Sequence, residues 1–80
     1  MKDFSEFLKH DDEVVRRVAG VLRELSESLD LKSISQEEYD ELVGDLLDMN
    51  KIDNFATSIE HKAKLEKAFN ALSAIVGSVV

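Results

Sequence analysis

Apolar residues recur every three or four positions along most of the chain, and nowhere do they alternate with polar residues at a spacing of two. The first spacing is that of one helix face, and the missing second is that of a half-buried strand. The pattern therefore predicts an all-α protein without strands. Phe4, Leu8, Asp11, Val15, Val18, Leu22, Leu25 and Leu29 alternate by four and three, and Phe7, Val14 and Val21 widen the stripe. One helix over about residues 3–29 accounts for this, with Asp11 as the exception on the seam. Asp11-Asp12-Glu13 also suits a helix start, where carboxylates meet the positive end of the helix dipole. A short helix at Phe4–Leu8, a break near His10 and a main helix from about Asp12 is the other reading, and the pattern allows both.

The stripe stops at Leu29-Asp30-Leu31-Lys32-Ser33, which reads as a loop. After it, Ser35 and Glu38 stand three residues apart, the spacing of a capping box, and Ile34 and Tyr39 stand where a hydrophobic staple would close. Tyr39, Leu42, Val43, Leu46 and Leu47 then mark the buried face of a second helix. Ile52, Phe55, Ala56, Ile59 and Ala63 share one face, whereas Leu65, Phe69, Leu72, Val76 and Val79 share a face rotated from it. Thr57-Ser58-Ile59-Glu60 offers a second capping box between the two. The expectation is a short helix or turn over 51–56, then a long helix from Ser58 to about residue 78. Ala68 to Val80 carries no charge, and Ala71 and Ala74 leave the far side of that helix only weakly polar. A helix apolar on more than one side is buried by its own chain or by another. The remaining helices are expected to surround it.

Eighty residues are enough for one domain, and a core of that size is marginal unless something supports it. Without cysteine there is neither a disulfide nor a thiolate metal site, which leaves helix packing or a second chain as the support. The net charge of −7 is uneven. Residues 1–23 balance, whereas residues 24–53 hold ten acidic side chains against two basic ones. Such a surface repels phosphate, so direct nucleic-acid binding is not expected, but it suits a basic protein surface. The acidic positions Glu37, Asp40, Glu41, Asp45 and Asp48 fall on the outer face of the second helix. The first thirteen residues are charged throughout and do not read as a secretory leader. The apolar end falls short of the roughly 20 residues that span a bilayer. A soluble cytoplasmic protein is the expectation.

Candidate chemistry is sparse. Asp48-Met49-Asn50-Lys51-Ile52-Asp53 begins like a calcium loop but lacks the turn glycine and, with Ile59 in the twelfth place, the closing Glu. It reads as a polar turn between helices. His10 and His61 lack the carboxylate clusters that accompany metal-binding histidines and read as solvated or helix-end residues. No Gly-rich phosphate loop and no Gly-x-Ser-x-Gly elbow occurs. Neither catalytic residues nor a cofactor is therefore expected. Gly20, Gly44 and Gly77 inside helices mark either close approaches or tolerated costs.

The stretch Leu31–Leu42 resembles a phrase found in short C-terminal helical modules of many bacterial and phage proteins. Its elements are an Ile, a Ser or Thr, two Glu, an aromatic residue and, three further on, a Leu, here Ile34, Ser35, Glu37, Glu38, Tyr39 and Leu42. The resemblance implies a helical hairpin and no function. The expected whole is a small acidic bundle of three main helices, at about 12–30, 36–48 and 58–78, with Phe4–Leu8 as an extra helix or extension. Its expected role is a non-enzymatic protein–protein interaction or assembly module, akin in size to small bacterial or phage accessory proteins. It would act as an oligomer or docked on a larger protein, with Phe69, Leu72, Ile75, Val76 and Val79 at the interface. The rival is an acidic mimic of nucleic acid that blocks a nucleic-acid-binding protein.

Overall fold

The computed structural model describes residues 4–77 as five α-helices and one 3-10 turn: α1 (Ser5–Leu8), α2 (Glu13–Asp30), α3 (Gln36–Leu46), the turn at Met49–Lys51, α4 (Ile52–Phe55) and α5 (Ile59–Gly77). No strand occurs among the described residues. The all-α small bundle is thus the architecture, with the break near His10 and the short helix after residue 51 both present. α1, α3 and α5 all pack on α2, and α4 packs on α5. The hub is therefore α2 rather than the C-terminal helix that the sequence suggested.

Each long helix starts on a side-chain cap. Asp12 Oδ1 accepts the amides of Val14 at 2.9 Å and Val15 at 3.3 Å, which begins α2. The capping box of α3 is complete: Ser35 Oγ accepts the Glu38 amide at 3.1 Å, and Glu38 Oε1 accepts the Ser35 amide at 3.1 Å. Ser35→Ala removes one acceptor from the first turn and is expected to cost about 1 kcal/mol. An unchanged urea midpoint would show that the cap contributes nothing. At α5, Ser58 takes the cap, accepting the His61 amide at 3.0 Å. The Thr57–Glu60 box does not form, because the Thr57 amide is directed at the His61 ring instead. α2 ends in a paired motif, with the Ser33 amide on the Ser28 carbonyl and the Lys32 amide on that of Leu29. The motif needs a left-handed residue, usually Gly, and Lys32 fills it at φ 59°.

The core is a seam between two helices. Val15, Val18, Ala19 and Leu22 of α2 meet Leu65, Ala68, Phe69 and Leu72 of α5, closed by Phe4, Leu47 and Ile52. Burial of these side chains supplies the main stabilising force for a chain this short. α3 contributes less than its pattern promised: Tyr39 is buried and shares a 3.2 Å hydrogen bond with Ser26 of α2, but Leu42 is 43% exposed. α3 packs chiefly on α2, so its edge faces water. Ile59, placed by the sequence beside Ile52, is 89% exposed, and Phe55 and Ala63 are exposed too. The reason is the extended residue Ala56 (ψ 135°), which separates the registers of α4 and α5. Gly20 lies 4.0 Å, through an added Cβ, from Leu8 of α1, and Gly44 and Gly77 face open space, so none is required by packing.

Candidate functional site

The expected interface residues divide along α5. Phe69 and Leu72 have no exposed surface and belong to the core, which corrects their assignment to a partner surface. Their four–three spacing is the spacing of any buried stripe, and it holds no sign of which chain covers it. Ile75 and Val76 are half-buried at the core's edge, and Val79 lies outside the described residues. Asn70, Ala71, Ser73, Ala74 and Gly77 form the exposed outer side of the same helix, without a charge after Lys67.

The acidic positions do lie at the surface of α3 and its end. Glu37, Asp40, Glu41 and Asp45 are exposed. Asp40 accepts a 2.9 Å hydrogen bond from Gln36 Nε2, and Lys51 Nζ donates to the Asp45 carbonyl at 3.1 Å. Asp48 is half-buried and caps the 3-10 turn, with Oδ1 2.9 Å from the Asn50 amide. The would-be calcium loop is thus a capped turn between helices.

The polar cluster that the sequence reading passed over lies where α2 and α5 begin. Asp12 serves both helices: Oδ1 caps α2, and Oδ2 is 2.5 Å from Nε2 of His61 in the first turn of α5. The Thr57 amide donates to His61 Nδ1 at 3.0 Å. An amide can only donate, so Nδ1 is an acceptor and the ring hydrogen is on Nε2, aimed at Asp12. Burial pushes the Asp12 carboxyl up, but the His61 bond and the Val15 and Val14 amides outweigh it and hold the group below its ordinary value. Asp11, beside it, bonds Lys64 of α5 at 2.7 Å, and chiefly that bond lowers its carboxyl. His10 Nδ1 accepts the Asp12 amide at 3.0 Å, and Arg16 holds the His10 carbonyl at 2.6 Å. On the far side of α5's start, Lys62 is raised by its 2.8 Å pair with Asp53 of α4.

A sequence signal for this cluster existed. His61 continues the buried stripe of α5 backwards, four residues before Leu65, and Asp12 stands three before Val15. The order Thr57 hydroxyl, imidazole, carboxylate matches a nucleophile–base–orienter set. The hydroxyl is 3.3 Å from Nδ1, but the lone pair that would take its proton is filled by the Thr57 amide. Among the described residues, no group of three or more His, Asp or Glu is arranged to hold a metal ion. No helix among them is long and apolar enough to cross a membrane. Comparison of the chain with family models, curated proteins and solved structures finds no match.

Proposed function

We propose that this protein is a non-enzymatic interaction or assembly module that works by helix packing, either with its own copies or docked on a larger protein. The observation that carries this reading is the outer side of α5. In a chain with 34% charged residues, the exposed surface of Asn70, Ala71, Ser73, Ala74 and Gly77 is uncharged and made of small side chains. Small residues let a second helix approach closely, and a missing charge removes the desolvation cost of covering the face.

Because Ala71 and Ala74 are exposed, Ala71→Glu with Ala74→Glu is expected to leave the fold intact and abolish association. The solution mass of the parent and of the double variant, with circular dichroism to confirm folding, tests this. A parent that is monomeric, and that captures no partner the variant fails to capture, removes the reading. The rival, an acidic mimic of nucleic acid, draws on the exposure of Glu37, Asp40, Glu41 and Asp45 along one helix. Association that survives the double substitution but vanishes at high salt would transfer the contact to those carboxylates.

A further inference from the structure

We propose that His10 and His61 make the start of α2 and the start of α5 a single proton-operated rearrangement point. Neutral imidazoles accept the Asp12 and Thr57 amides; protonated imidazoles release both amides and donate from Nδ1 instead, His10 to the Asp11 carboxylate and His61 to the Thr57 hydroxyl.

Both histidines of the chain have the same arrangement. In each, Nδ1 accepts a backbone amide at 3.0 Å in the segment that leads into a long helix. A proton taken up from solvent has one place to go on each ring, the Nδ1 lone pair, and it then opposes the amide hydrogen already there. For His10 the alternative is at hand: Nδ1 is 3.1 Å from Asp11 Oδ1, a contact that is unfavourable for the neutral acceptor and becomes an ion pair for the protonated donor. The ring therefore lies between a donor and an acceptor at nearly equal distance, and its charge selects between them. For His61 the Nε2 hydrogen points at Asp12 Oδ2 in both forms, so the link between α2 and α5 persists while the Thr57 amide is released.

The surrounding charges permit this exchange. His10 faces Asp11, Asp12 and the Arg16 guanidinium that holds its carbonyl, with Lys9 next in sequence and Glu6 one turn earlier in α1. From α5, Lys64 occupies Asp11 Oδ2 and leaves Oδ1 to His10. His61 faces Asp12 from α2; its neighbour Glu60 is exposed, and Lys62 is occupied by Asp53 of α4. The protonated Nδ1 of His10 thus has the Asp11 carboxylate to turn to, and that of His61 has the Thr57 hydroxyl at 3.3 Å. The two rings are partly covered, at 24% and 20% side-chain exposure, so solvent reaches them without displacing the core. The rearrangement acts on the linker that carries α1, a four-residue helix with no side-chain cap that is too short to stand alone.

The test is nuclear magnetic resonance of the full chain between about pH 8 and pH 5, the range in which imidazoles change charge. At the upper end, ring nitrogen shifts are expected to show bare Nδ1 and protonated Nε2 on both histidines. As the rings protonate, protection of the Asp12 and Thr57 amides, taken relative to unfolded chain at the same pH, is expected to fall roughly fivefold, the weight of one net hydrogen bond. His10→Asn and His61→Asn supply a carbonyl acceptor that does not titrate, and each is expected to remove the pH dependence at its own amide alone. An Nδ1–H tautomer, or amide protection that is constant across the titration, overturns the proposal in the parent protein without reference to any variant. A pH dependence that persists in the Asn variants does so as well.

Discussion

Phe69→Ala is expected to lower the stability of the protein by about 3–5 kcal/mol. Phe69 is the largest of the fully buried side chains and lies in the α2–α5 seam, with Val15, Val18 and Leu22 across from it in the same cluster. Truncating a buried Phe removes its transfer free energy and leaves a cavity, at about 3–5 kcal/mol together. An 80-residue domain has a total stability of about 4–12 kcal/mol. The loss therefore takes most of the stability at the lower end of that range. Urea denaturation followed by circular dichroism measures it. Lys67→Ala is the control, two residues earlier in the same helix and on its exposed side, where the midpoint is expected to move little. Should the two variants denature alike, the side of α5 assigned to the core is wrong.

How the sequence led to this fold differs from element to element, and the differences are physical. The body and end of α2 were legible in a four–three stripe that stops before the loop, but its start was not, because the stripe runs back through Asp11 to Phe4 and only Asp-Asp-Glu argued for the break. α3 was legible at its start, since a capping box and staple are local and need no knowledge of the rest of the chain. Its inner face was only partly legible. Whether Leu42 is covered depends on which neighbours α3 has, and that is a property of the bundle. Ile59 was misplaced for a different reason. A helix-period pattern continues across a break in the chain, but the rotation between α4 and α5 is set by the extended residue Ala56. The end of α2 was invisible as a motif because Lys32 occupies the place where Gly would have announced it.

The polar junction was missed because its two halves are 49 residues apart and neither is a motif alone. In the sequence Asp12 is one of three acidic residues that suit a helix start, and His61 is a helix-end residue; the structure makes both so. That the free oxygen of one meets the free nitrogen of the other follows only when α2 and α5 are packed with their starts together. The same packing decides that Phe69 and Leu72 are core and that the uncharged side of α5 faces outward. A sequence can show that a helix has two apolar sides; the bundle decides which of them is used internally.

Asp12→Ala is expected to be the most damaging change outside the core, because one side chain holds the start of two helices. It removes the cap of α2, at about 1 kcal/mol. It also leaves the His61 Nε2 hydrogen without its charged acceptor, at about 1.5–3 kcal/mol. Asp12→Asn separates the two losses. Its carbonyl oxygen still caps α2, but its amide group presents hydrogens to a ring nitrogen that already carries one. His61 cannot answer by moving its hydrogen to Nδ1, since the Thr57 amide donates there at 3.0 Å. The Asn variant is therefore expected to lose the His61 share and keep the cap, and to denature between the parent and the Ala variant. The parent's acid limb follows the same logic. The Asp12 carboxyl is held below its ordinary value of 3.8 in the folded state, so the folded state binds this proton less readily than the unfolded chain. Its contribution is fully present above the unfolded value and is lost as pH falls through the depressed one. As pH falls below about 4 the parent is therefore expected to lose stability that the Asn and Ala variants no longer possess. If denaturation midpoints of parent and Asn variant keep a constant separation from pH 7 down through acid unfolding, Asp12 and His61 are neighbours that do not stabilise each other.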